Sequence, residues 1–149
     1  MIDIENQIFT NIRNAIKAST YYSDIVLTSD PSYTPAKFPC VFFCQSDSYP
    51  TAAKHTSSRE DRFATVVFEA YVYSNKTSGA KTECKKILSI IDEEMRIEGF
   101  TRTTETPLAP AANTAKAIRF ARYRAEASSK TYIDDSDGKP RTRNYIFTI

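Results

Sequence analysis

Apolar side chains at Ile4, Ile8, Phe9, Ile12, Ala15 and Ile16 form one stripe at the 3.6-residue period, which predicts a helix over residues 4–18. Asp3 stands where its N-cap belongs. Ile25-Val26-Leu27 then reads as a short strand. Pro31, Pro35 and Pro39 each push the preceding residue toward extended geometry, so they spell a connector into the β run Cys40-Val41-Phe42-Phe43-Cys44. Residues 46–61 are polar and read as a loop, longer than most connections between elements.

The longest strand signal covers residues 62–74. Phe63, Thr65, Val67, Glu69, Tyr71 and Tyr73 point one way, and Ala64, Val66, Phe68, Ala70 and Val72 the other. The second set is wholly apolar and is expected to face the core. A turn over residues 75–79 leads to a second amphipathic helix over 80–98, with Ala80, Cys84, Ile87, Leu88, Ile91 and Met95 on its buried side. Gly99-Phe100 supplies a left-handed residue and an apolar one after it, the ending of a Schellman motif.

Residues 101–114, rich in Thr, Ala and Pro, read as another loop. Alternation returns over 116–127, where Ala117, Ala121, Tyr123, Ala125 and Ala127 oppose Ile118, Phe120, Arg122 and Arg124. Thr131-Tyr132-Ile133, a turn over 134–140 and Asn144-Tyr145-Ile146-Phe147-Thr148-Ile149 suggest a C-terminal hairpin. The expected fold is α+β: a mainly antiparallel sheet with two helices packed on one face, and a protruding C-terminal hairpin.

Composition narrows this picture. A chain of 149 residues, 41% hydrophobic and 26% charged, fits one globular domain spanning 1–149. Nine Tyr and nine Phe make it aromatic, while three Gly are few for a phosphate-cradling enzyme. The net charge of +2 leaves no strong nucleic-acid footprint. Residues 116–149 hold eight basic and four acidic groups, a local excess of four positive charges. No apolar run approaches the roughly 18 residues of a membrane span, and the opening residues lack the pattern of a secretory signal. Cys40, Cys44 and Cys84 are expected as free thiols of a protein made inside a cell.

Catalytic constellations are hard to assemble. His55 is the single histidine, in the polar loop beside Lys54, and no nucleophile elbow accompanies it. Asp92, Glu93, Glu94 and Glu98 cluster at the end of the second helix, where the solvated face of an amphipathic helix explains them. Asp134-Asp135-Ser136-Asp137-Gly138 fails the calcium-loop pattern, because the first and twelfth ligand positions fall on Ile133 and Asn144. The cysteines lack zinc-site spacing. Arg119, Arg122 and Arg124, interleaved with Phe120 and Tyr123, could serve a nucleic-acid-binding module on residues 116–124. No enzyme, cofactor or metal is expected.

One succession of landmarks carries a resemblance. Tyr71-Val72-Tyr73-Ser74-Asn75 runs into a helix with Glu83-Cys84-Lys85-Lys86-Ile87 and Ile91-Asp92, which closes with Glu98-Gly99-Phe100-Thr101-Arg102. A Pro-containing loop and Ile118-Arg119-Phe120-Ala121-Arg122-Tyr123 follow, while Lys37-Phe38-Pro39-Cys40-Val41 enters a strand upstream. From about residue 4 to 123 this order resembles the tail terminator and tail completion proteins of long-tailed bacteriophages. Head completion and minor capsid proteins of the neck share parts of it.

The resemblance implies a structural subunit that forms a ring, hexameric in that family, on the last ring of the tail tube. Such a ring stops tube growth and joins the tail to the head. Implied partners are copies of the chain itself, the tail tube protein, a head-side connector or head completion protein, and genomic DNA passing through the lumen without sequence readout. The implied location is the neck of the virion, after assembly in the host cytoplasm. Tyr71, Tyr73, Arg119, Arg122, Tyr123, Arg141 and Arg143 are the candidate assembly residues, provided their side of the sheet is free of helices; a second solvated sheet face is the alternative.

Overall fold

A computed structural model of the chain describes residues 3–19, 25–30, 35, 37–50, 63–109, 115–133, 138 and 140–147, with side chains at all of these except 50, 63, 128–133 and 140–147. The elements run α1 (Glu5–Lys17), β1 (Val26–Thr28), β2 (Cys40–Pro50), β3 (Phe63–Ser74), α2 (Ala80–Glu98), β4 (Thr101–Leu108), β5 (Ala117–Ile133) and β6 (Pro140–Phe147).

Both helices follow their apolar stripes. α1 buries Ile8, Ile12 and Ile16. Its N-cap is Ile4 rather than Asp3, but the Asp3 carboxylate still accepts the Glu5 backbone N–H at 3.1 Å and satisfies one orphan donor of the first turn. α2 buries Cys84, Ile87, Leu88, Ile91 and Met95. It ends as expected: Gly99 is left-handed with φ 98°, its N–H donates to the Arg96 carbonyl, and the Phe100 N–H donates to the Met95 carbonyl at 2.9 Å.

The strands lie in the order β1-β2-β3-β5-β4, with β6 also paired to β5. β1 and β2 are parallel and every other pair is antiparallel, so the sheet is mainly antiparallel. β5 pairs with β3 along residues 117–128. Its other edge takes β4 against 118–124 and then β6 against 126–133, end to end.

Three expectations about loops are corrected. Residues 46–50 do not begin a loop: β2 continues to Pro50, with an irregularity between Gln45 and Asp47 where Ser46 is extra. The length of β3 supplies the backbone partners that this polar segment could not advertise by itself. Residues 101–108 are likewise strand β4, because β5 offers a free edge and β-branched Thr suits it. Pro107 is tolerated because β4 is an edge strand. Residues 117–133 form one strand, not two. Of the expected hairpin, the backbone pairing Ile133↔Pro140 to Glu126↔Phe147 is described. Residues 134–137 of its turn and all its side chains beyond Ala127 lie outside the described residues.

α1 and α2 pack side by side on one face of the sheet. Their buried stripes meet Val41 and Phe43 of β2, Ala64, Val66, Phe68, Ala70 and Val72 of β3, and Ala117, Ala121, Tyr123, Ala125 and Ala127 of β5. The alanines of β5 let α2 lie close, while Phe43 and Phe68 stack at 5.3 Å and Phe100 meets Phe68 edge-on at 5.4 Å. Asn11 Nδ2 donates to Glu98 Oε1 at 2.7 Å and ties the two helices together. No described helix is long and apolar enough to cross a membrane.

Candidate interaction surface

The period of two that buries one face of β2, β3 and β5 directs other side chains to the opposite face. There the register aligns Phe42 with Tyr71 and Tyr71 with Phe120. Their rings form a row across three strands, with centroids 5.7 Å and 4.8 Å apart. One rung further, Cys44, Glu69 and Arg122 are aligned. Arg122 Nη2 donates to Glu69 Oε1 at 2.8 Å, and its guanidinium carbon stands 5.7 Å from the Phe120 ring centroid. Tyr71 Oη donates to Glu69 Oε2 at 3.4 Å.

Neither α1 nor α2 lies on this face, and Phe42, Tyr71, Tyr73 and Phe120 keep an intermediate exposure. A depression of about 180 Å³ opens there, lined by Thr28, Pro35, Cys40, Phe42, Glu69, Tyr71 and Tyr73. Burial and the neighbouring Glu69 raise the pKa of the Tyr71 phenol. Burial, then Cys40, raises that of Tyr73. Both stay neutral hydrogen-bonding groups at physiological pH. The surface is broad, aromatic, shallowly hollowed and anchored by one ion pair, which suits packing against a macromolecule better than enclosing a small ligand.

Arg119 and Tyr123 do not belong to it. Residues 119 and 122 are an odd number apart in a strand, so they point to opposite faces. Tyr123 is 1% exposed beneath α2, with its hydroxyl donating to Asp92 Oδ1 at 3.2 Å. Arg119 is also on the helix side and donates to Glu105 of β4. Arg119 and Glu105, together with Lys85, Leu88, Ser89, Asp92 and Arg102, line a shallow polar cleft of about 300 Å³. Arg102 Nη1 reaches Asp92 Oδ1 at 3.1 Å, so two arginines and two carboxylates there are mutually paired.

Tyr71, Tyr73 and Arg122 thus come together on the open face, and Phe42, Glu69 and Phe120 join them unforeseen. Alternation alone marks these three as outward-facing; only the register makes them neighbours. Arg141 and Arg143 lie on β6 opposite Tyr132 and Lys130, and their side chains are outside the described residues. His55 is also outside them. Because Glu69 and Glu105 pair with Arg122 and Arg119, half the positive charge of the 116–124 strand is internally neutralised, leaving Lys116 and Arg124 exposed.

The acidic cluster of α2 is divided among local partners. Asp92 meets Tyr123 and Arg102, Glu93 meets Arg96, and Glu98 meets Asn11. Burial first, then the adjacent Glu98 carboxyl, pushes the Glu94 pKa upward. The three cysteines are free, and desolvation raises each thiol to about 11. Among the described residues no group of three or more His, Cys, Asp and Glu side chains converges as a metal site. Comparison with protein-family models and with curated proteins finds no match to this chain.

Proposed function

We propose that this chain is a structural subunit of a phage neck, a tail-terminator-type protein that assembles as a ring, hexameric by the resemblance, on the end of the tail tube. There it ends tube polymerisation and offers the joining surface to the head-side connector. The ring has no catalytic role and encloses the path of the genomic DNA. The observation that carries this reading is the open sheet face, where Phe42, Tyr71 and Phe120 form an aromatic row beside the Glu69–Arg122 pair with neither helix over them.

A large antiparallel sheet solvated on one face normally carries polar residues there. Aromatic rings in line, bordered by a guanidinium, instead match the composition of protein–protein interface cores. Self-association of identical subunits through unlike surfaces closes into a ring when the rotation between neighbours permits it. The C-terminal hairpin, protruding in this reading, would supply a second contact.

Sedimentation velocity of the purified chain across a concentration series tests the reading. The expected result is a closed oligomer, formed alone or in the presence of the cognate tube protein, that dissociates when Tyr71 and Phe120 are both changed to Ala. DNA binding that weakens steeply with salt, in a chain that stays monomeric under all these conditions, would favour the nucleic-acid module instead.

A further inference from the structure

The outward side of α2 carries Ile97, which at 64% is the most exposed large apolar side chain among the described residues. It stands one helical turn after Glu93 and next to Arg96. Those two form an exposed ion pair, Arg96 Nη2 to Glu93 Oε1 at 2.6 Å. On the other side of the subunit, the open-face depression has apolar walls from Phe42, Tyr71 and Tyr73, with Glu69 at its border. Glu69 is itself paired to the half-exposed Arg122 at 2.8 Å. One surface is an apolar knob bordered by a carboxylate and a guanidinium. The other is a socket with aromatic walls and Thr28 and Cys40 beside them, bordered by Glu69, to which Arg122 is paired.

We propose that Ile97 of one copy seats in the Phe42–Tyr71–Tyr73 socket of a second copy, with Arg96 reaching Glu69 and Glu93 reaching Arg122 across the contact. The charges are reciprocal: each copy's ion pair gains the opposite member of its neighbour's pair. Exposed pairs of this kind contribute little within one subunit. Around a dehydrated apolar plug they set orientation and exclude wrong registers. The socket, at about 180 Å³, is several times the ~30 Å³ share of one water molecule and holds the four side-chain carbons of isoleucine.

Knob and socket lie on opposite sides of the subunit, helix side and open sheet face, so the contact is head-to-tail. Such contacts do not stop at a pair; they close into a ring when the rotation between neighbours permits it and otherwise run on as a filament. This inference rests on the self-assembly proposed above and specifies which surfaces meet.

Two variants of the full chain test it by native mass spectrometry. Ile97→Asp is expected to raise the self-association dissociation constant at least tenfold while leaving circular dichroism unchanged, since Ile97 is solvated in the single subunit. The melting temperature should fall by only about 1–2 °C, the cost of a new i,i+4 carboxylate pair with Glu93. The second variant, Ile97→Cys with Thr28→Cys in a Cys40→Ala, Cys44→Ala background, is expected to give a ladder of covalent oligomers on mild oxidation. Neither parent with only one of the two introduced cysteines should do so, because the Cys84 that both retain is buried. If wild type assembles, Ile97→Asp assembles equally well and the double variant stays uncross-linked, the knob-and-socket contact is wrong and the ring reading survives. A wild type that is monomeric at every concentration, alone and with tube protein, overturns both.

Discussion

At the scale of single residues, two glutamates on the helix side titrate in opposite senses. The Arg119 guanidinium hydrogen-bonded to Glu105 lowers its pKa below the ordinary 4.5. That pair therefore stabilises the fold above this value, and the contribution is lost as pH falls through the depressed pKa. Glu94 is the reverse. Its raised pKa means the folded state holds the proton longer than the unfolded chain, so its cost is absent below 4.5 and complete above the raised value. Glu94→Gln should stabilise the protein at pH 7 by about 0.2–0.5 kcal/mol, the scale of a like-charge i,i+4 pair, or about 1–2 °C in Tm. At pH 4 the gain should vanish, which thermal scans at the two pH values check.

The thiols give a second residue-level expectation. With each pKa near 11 instead of 9.0, the thiolate fraction at pH 8 is about a hundredfold lower than in an unfolded chain. Native protein should therefore react with a thiol reagent about a hundredfold more slowly than the same protein in denaturant. Sequence periodicity assigns most of these environments, because a residue's face follows from its parity in a strand. Grouping Tyr123 and Arg119 with Arg122 by chemistry sets parity aside, and the structure separates them accordingly.

At the scale of elements, α2 is fully readable from the sequence while β4 is not. A helix satisfies its own hydrogen bonds, so stripe, start and stop are all local. The left-handed Gly99 that closes it is equally local. Gly99→Ala should cost about 1–2 kcal/mol, a fall of about 2–8 °C in Tm by calorimetry. β4 and the polar end of β2 instead depend on a neighbour for every backbone partner. Thr101-Arg102-Thr103-Thr104-Glu105 has no apolar alternation, since an edge strand exposed on both faces has no core side to mark. Its existence follows from the edge that the next strand, β5, offers it.

At the scale of the whole molecule, the fold divides into a closed face and an open one. Phe43, fully buried under the helices, is expected to cost about 3–5 kcal/mol when changed to Ala, read as a large loss of Tm. Phe120, on the open face and only partly buried, should cost the single subunit about 2 kcal/mol. The same change should weaken oligomers at least tenfold. A core residue and an assembly residue of the same type are thus distinguished by which property fails. The α+β class and the side carrying the helices could be read from periodicity. The aromatic row could not, because it exists only through the register of three strands distant in sequence.

The most direct measurement is electron microscopy of cognate tail tubes polymerised with gold-labelled copies of this protein. The account predicts label confined to a single end of each tube, as one closed ring, and tubes that stop lengthening once it is bound. Label spread along the tubes, or tubes that keep growing with no label at either end, would contradict it.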